Sequence, residues 1–136
     1  MKVFSCRFIS TKAASGEVQI SKDEIQFYHT DPKTGAITEK GHDLEGVSVA
    51  GKILVFPGGK GSSVVQADGL YKLDLENTGP KGFIVKNLDT VLVSCAVIMD
   101  IPMVTDLPES FYETVKNGDQ IKIDPDKNCV IIINDK

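Results

Sequence analysis

The residues with the clearest capacity for chemistry lie in one short run, Pro57-Gly58-Gly59-Lys60-Gly61-Ser62-Ser63. Glycine carries no Cβ, so such a backbone can approach an oxygen-rich ligand closely. If a helix begins at the serines, its first N–H groups have no partner within the helix and its dipole favours negative charge at that end. Lys60 adds a mobile cation, and Ser62 and Ser63 stand at the helix start, where one of them can act as N-cap. The spacing excludes three standard loops. A P-loop places its lysine after the last glycine, whereas here Gly61 follows Lys60; Gly-x-Gly-x-x-Gly fails at Val64; and no glycine completes a nucleophile elbow around Ser62 or Ser63. Composition alone leaves two readings open, an anion-binding loop or a tight turn.

Elements on either side must position this loop. Lys52 to Phe56 is a short β-branched apolar run that suits a buried strand, and Ser63 to Leu75 suits a helix weakened at Gly69. Phe83-Ile84-Val85 reads as a second buried strand. A helix from Thr90 to about Met99 follows, with Asn87 or Asp89 as its cap, and Pro102-Met103-Val104 starts a third strand. This alternation predicts parallel pairing in the centre of the chain. Upstream, Val3 to Ile9 reads as one strand and Glu17 to Ile20 as another. Ile25 to Tyr28 is an apolar patch, Asp31-Pro32-Lys33-Thr34-Gly35 a turn, and a polar stretch runs on through Asp43. Downstream, Phe111 to Val115 reads as a short helix, Gln120 to Asp124 as a strand, Pro125 to Asn128 as a hairpin turn and Cys129 to Ile133 as its return strand. The expectation is one α/β domain over residues 1–136, with β elements at both ends around a βαβαβ centre.

Bulk properties narrow the function classes. The 136 residues carry a net charge of −4 and no Lys/Arg cluster, which argues against a nucleic-acid partner. The longest apolar run, Val91 to Met99, falls well short of the roughly 20 residues that a membrane span needs, and Arg7 interrupts any signal core, so the expected location is the cytoplasm. Three widely spaced cysteines, Cys6, Cys95 and Cys129, suit neither a disulfide framework nor a metal cluster built by this chain alone. Cys95 and Cys129 read as small buried hydrophobes, and His29 and His42 as surface residues.

Taken in order, these motifs resemble a known family. Val49 to Ser63, with Asp31 to Gly35 and Gly41-His42-Asp43-Leu44-Glu45-Gly46 ahead of it, is similar to the swivelling small-subunit partner of the aconitase X group. More narrowly, it resembles the small subunits of archaeal phosphomevalonate dehydratases. Pro80 to Val85, Ile101 to Val104 and Asn117 to Asp124 continue the pattern, so the resemblance covers nearly the whole chain. It implies a swivelling β/β/α domain and a hydro-lyase that dehydrates (R)-5-phosphomevalonate to trans-anhydromevalonate 5-phosphate in a modified mevalonate (isoprenoid) pathway. It also implies a heterodimer with a large subunit whose cysteines, not this chain's, bind a 4Fe–4S cluster.

The family's proton-accepting serine falls on Ser62. Gly59, Lys60, Gly61 and Ser63 are the neighbours expected to contact substrate. Two departures stand out. Aconitases proper follow the two serines with an arginine, and here that place is Val64; Gln66-Ala67-Asp68 is inserted ahead of Gly69. The first makes a tricarboxylate substrate doubtful and requires that carboxylate or phosphate be recognised elsewhere, the large subunit being the expected place. Two alternatives remain at this stage: the same fold in a dehydratase of another hydroxy acid, such as a hydroxyproline, and a stand-alone anion-binding domain.

Overall fold

The computed structural model describes residues 1–133. One eight-stranded sheet runs through them. In chain order its strands are β1 (Lys2–Ser5), β2 (Arg7–Ser10), β3 (Ala14–Ile20), β4 (Lys52–Phe56), β5 (Gly82–Val85), β6 (Met103–Thr105), β7 (Gln120–Asp124) and β8 (Cys129–Ile132). Three helices interrupt them: α1 (Ser63–Leu75) after β4, α2 (Thr90–Met99) after β5 and α3 (Glu109–Thr114) after β6. The spatial order is β1-β8-β7-β3-β4-β5-β6-β2. The pairs β3–β4, β4–β5 and β5–β6 are parallel and the rest antiparallel, as the alternation of strands and helices predicts for the centre.

The expected single strand from Val3 to Ile9 is two strands. The chain breaks at Cys6, so that β1 pairs with β8 on one edge while β2 pairs with β6 on the other. Because the edge strands are consecutive, one bent segment brings the two sheet edges together, and the sheet curls into a barrel-like layer.

Alternation along the strands then sorts the core into two. Val18, Ile53, Val55, Ile84, Val104 and Ile123 face the inside of the curl, where α3 contributes Phe111. Leu54, Phe56, Phe83 and Met103 face outward and are covered by Leu70 and Leu73 of α1 and by Leu92, Cys95 and Ala96 of α2. Residues 21–51, between β3 and β4, form a strap with no regular element. It nonetheless buries Ile25, Phe27, Ile37, Leu44 and Val49 in that outer core. Phe27 stacks on Phe83 at 5.4 Å and meets Phe56 edge-on at 6.2 Å.

Gly69 does not break α1. It is buried where the strap crosses, and a Cβ there would strike the Phe27–Tyr28 backbone. Of the two cap candidates for α2, Asp89 fills the role, its Oδ1 accepting the N–H groups of Val91 and Leu92 at 2.9 and 3.4 Å. Among the described residues no helix is long and apolar enough to cross a membrane.

Candidate active site

β4 is buried on both faces, so the loop leaves it at the carboxyl edge of the parallel strands, where α/β proteins place ligands. The loop is clamped from two sides. The strap pairs with it through a bridge between Ile25 and Gly59, with Ile25 N–H donating to Gly58 O at 3.1 Å and Lys60 N–H to Ile25 O at 3.4 Å. From the helix side, the Gln66 side chain is fully buried and uses every group it has. Its Oε1 accepts the Phe27 N–H at 2.6 Å, and its Nε2 donates to Ile25 O at 3.0 Å and Lys60 O at 3.4 Å. A Cβ on Gly59 would lie 2.8 Å from both Gln66 Nε2 and Asp89 Oδ2, so this close approach requires glycine. Gly61 turns the chain at φ +92°, with the Gln26 side chain lying against it.

This geometry delivers Ser62 to the N-cap position of α1 in an extended conformation, φ −77° and ψ 163°. Its hydroxyl does not cap the helix, and it makes no hydrogen bond among the described residues. The first helical bond runs from Gln66 N–H to Ser62 O at 3.1 Å. The N–H groups of Ser63, Val64 and Val65 therefore precede the hydrogen-bonded ladder. The first turn holds no acidic side chain to occupy them. Ser62 is thus a free, exposed hydroxyl beside unpaired backbone donors at the positive end of a 13-residue helix. That environment stabilises an alkoxide or a carboxylate.

Lys60 is not the mobile cation expected of it. Its ammonium is fixed to Glu39 Oε2 at 2.7 Å, and this hydrogen bond holds the Glu39 carboxyl below the usual range. Glu39 reaches it from the strap, which His42 braces from within. That histidine is buried rather than on the surface. Its Nε2 lies 2.9 Å from Glu24 O, and its Nδ1 accepts the Leu44 N–H at 2.9 Å, which assigns the proton to Nε2. His29 is exposed, as expected.

The structure gathers Gly59, Lys60, Gly61, Ser62 and Ser63 at one edge, and adds Glu39, together with Gln66 and Asp89, which the sequence marks only as part of an insertion and as a helix-cap candidate. Gln66 had a signal. It shares the buried face of α1 with Gly69, Leu70 and Leu73 at helical spacing, and a polar residue in such a set needs buried partners. Glu39 had none, since its partner Lys60 lies 21 residues away in the chain, and the cap signal of Asp89 points to α2 and not to the loop. Asp89 Oδ2 is buried beside Gly59 without a hydrogen-bond partner. Among the described residues no three His, Cys, Asp or Glu side chains come together to hold a metal ion, and Cys95 and Cys129 are buried free thiols. The residues present do not fit an iron–sulfur cluster as one carried by this chain.

The aconitase X swivel domain profile matches residues 3–132. The chain belongs to this family. A phosphomevalonate dehydratase small subunit from Archaeoglobus fulgidus is 39% identical over 133 residues, 96% of this chain and 98% of the relative. The small subunit of the same name from Thermococcus kodakarensis is 39% identical over 99% of this chain and 98% of its own length. That from Methanosarcina acetivorans is 38% identical over 96% and 90%. The crystal structure of Thermococcus kodakaraensis aconitase X in its holo form superposes with a TM-score of 0.85 at 38% identity, covering 98% of this chain and all of the matched one. The swivel-domain fold expected from the motifs is therefore the fold of this chain, and the exposed Ser62 loop lies on an aconitase X swivel domain.

Proposed function

We propose that this chain is the small subunit of a phosphomevalonate dehydratase, a hydro-lyase that removes water from (R)-5-phosphomevalonate in isoprenoid synthesis, and that Ser62 accepts the substrate proton. Residues 1–136 act in this reading as a single swivelling domain beside a large subunit, in a heterodimer. Relatives that share about two fifths of its sequence over nearly full length carry the name of that small subunit. The observation that supports Ser62 most directly is its unused hydroxyl at the N-cap of α1.

The proton to be removed sits on the carbon next to the substrate carboxylate. A serine is a weak base, and its alkoxide needs an environment that prefers negative charge. The free N–H groups of Ser63, Val64 and Val65 supply preorganised donors for that charge or for the carboxylate beside it. Gln66, Gly59 and the Lys60–Glu39 pair hold the loop in place, so that little reorganisation is needed when charge develops. Burial of the loop under the large subunit excludes water and strengthens these interactions. A 4Fe–4S cluster, held by the large subunit and not by this chain, would supply Lewis acidity for loss of the hydroxyl, while this chain accepts the proton at Ser62.

Ser62→Ala in the reconstituted pair tests the assignment. A lost general base costs about 10²–10⁴ in kcat. The expected result is that loss with unchanged co-purification of the two subunits. Turnover near the wild-type rate would remove Ser62 from the mechanism.

A further inference from the structure

A substrate with a carboxylate at one end and a phosphate at the other needs two anion-binding places. The N-terminus of α1 offers one, beside Ser62. Position 64, where an arginine would supply a second, is an exposed valine. The structure does, however, contain two lysines at the mouth of the curled sheet.

That mouth holds a cavity of about 320 Å³ at the carboxyl ends of β3, β4 and β5. Ile20 and Val115 line its apolar floor, Pro57 of the glycine-rich loop forms one wall, and Lys22, Lys86 and Tyr112 line the rest. The connection after β5 leads to α2 on the outside of the sheet, and the connection after β6 leads to α3 on the inside. The cavity lies beneath the carboxyl ends of parallel strands, the end of such a sheet where ligands usually bind. Ser62 is five residues beyond Pro57, within about 18 Å even for a fully extended chain.

Both lysines lack an acidic partner among the described residues. Two carboxylates close to the Lys22 backbone each hold a main-chain N–H. Asp43 Oδ2 accepts the main-chain N–H of Lys22 at 2.9 Å, and Asp23 Oδ2 accepts that of Asp43 at 2.8 Å. The Lys86 ammonium rests 4.4 Å from the centre of the Tyr112 ring, which holds it at the cavity. Asp106 pairs with Arg7 at 3.7 Å. Burial, with Glu109 and Asp106 nearby, raises the Tyr112 hydroxyl to about 12, so it stays protonated and able to donate.

We infer that this cavity is the subsite for the phosphate end of the substrate, with Lys22 and Lys86 as its binding residues. The inference rests on the dehydratase reading above. It puts phosphate recognition on the small subunit, contrary to the expectation that the large subunit carries it.

The test is steady-state kinetics of the reconstituted two-subunit enzyme with Lys22→Met and Lys86→Met, singly and together. Methionine keeps the apolar stem and removes the charge. Loss of a hydrogen bond to a charged group costs about tenfold or more in affinity. The expected result is a KM for 5-phosphomevalonate raised by about that factor for each lysine, with kcat within about twofold of wild type. Inorganic phosphate should compete with substrate in the wild type and lose that effect in the double variant, and Lys86→Arg should restore most of it. An unchanged KM with full activity overturns the subsite and leaves the dehydratase reading intact. Failure of the double variant to co-purify with the large subunit also overturns it, since the lysines would then serve the interface. A wild-type pair inactive on 5-phosphomevalonate overturns the dehydratase reading, and the subsite with it.

Discussion

At the scale of single residues, the candidate site depends on groups that never touch substrate. Gln66 ties the loop to the strap through its Oε1, which accepts one hydrogen bond, and its Nε2, which donates two; the bonds to Phe27 and Ile25 are buried and that to Lys60 is partly buried. Gln66→Leu keeps the size of the side chain but leaves the Phe27 N–H and the Lys60 carbonyl without partners, and leaves the Ile25 carbonyl with the Lys60 N–H alone. Each buried group left unsatisfied costs about 1–3 kcal/mol. The chain alone should therefore lose several kcal/mol in urea unfolding, and a loss below about 1 kcal/mol would show that water replaces the amide. Gly59→Ala tests the other side of the clamp. Its Cβ would press on Asp89 Oδ2 and Gln66 Nε2 at 2.8 Å and on Leu92 Cβ at 3.2 Å. Overpacking of this kind costs about 1–3 kcal/mol. The Gln66 amide can give way slightly, but Leu92 Cβ is fixed to a helix, so the loop has to move. Turnover of the assembled enzyme should fall more than thermal stability does. Unchanged kinetics would mean that the loop tolerates the shift.

At the scale of elements, the strength of a local signal decides what the sequence reveals. β4, β5, α1 and α2 are legible because apolar runs, a capping aspartate and punctuating glycines lie within a few residues of one another. The break at Cys6 is not legible. Phe4, Cys6 and Phe8 continue an apolar series, and only pairing with β8 and β6 on opposite sheet edges divides it. The strap is harder still, since its contacts with the loop and α1 span 39 and 41 residues in the case of Gln66. That is why Ser62 stands out in the sequence while Gln66 and Glu39 do not. Gly69 shows the same conflict between local and tertiary demands. On propensity alone, Gly69→Ala should stabilise α1 by up to about 1 kcal/mol. The new Cβ, however, would strike the Phe27–Tyr28 backbone, which cannot rotate away as a side-chain tip can. The tertiary term wins, and the variant should be less stable than wild type by about 2 kcal/mol or more. A raised melting temperature would show instead that the strap can lift from the helix.

At the scale of the whole molecule, closing the sheet at Cys6 has a consequence that pH can read. The bend turns the Cys6 thiol toward the inner core, packed with Phe4 and Phe8, and near Cys129. Burial first, and the second thiol next, raise it from its ordinary 9.0 to about 11. Tyr112, at the mouth of the same curl, is raised from 10.0 to about 12 by burial, Glu109 and Asp106. In both cases the fold favours the neutral form. The stability each contributes is complete below the unfolded value and is lost as pH rises through the folded one. Stability should therefore hold to about pH 9, decline between 9 and 11 as the unfolded chain ionises at Cys6, and decline further from 10 to 12 through Tyr112. Urea midpoints taken at intervals from pH 7 to 11 measure this directly. Cys6→Ser removes that thiol and should make the fall between pH 9 and 10 shallower, leaving the share of Cys95, which burial also raises, and the tyrosine-dependent fall above it. If the variant declines in parallel with wild type over that interval, Cys6 is hydrated in solution and the two sheet edges do not close over it.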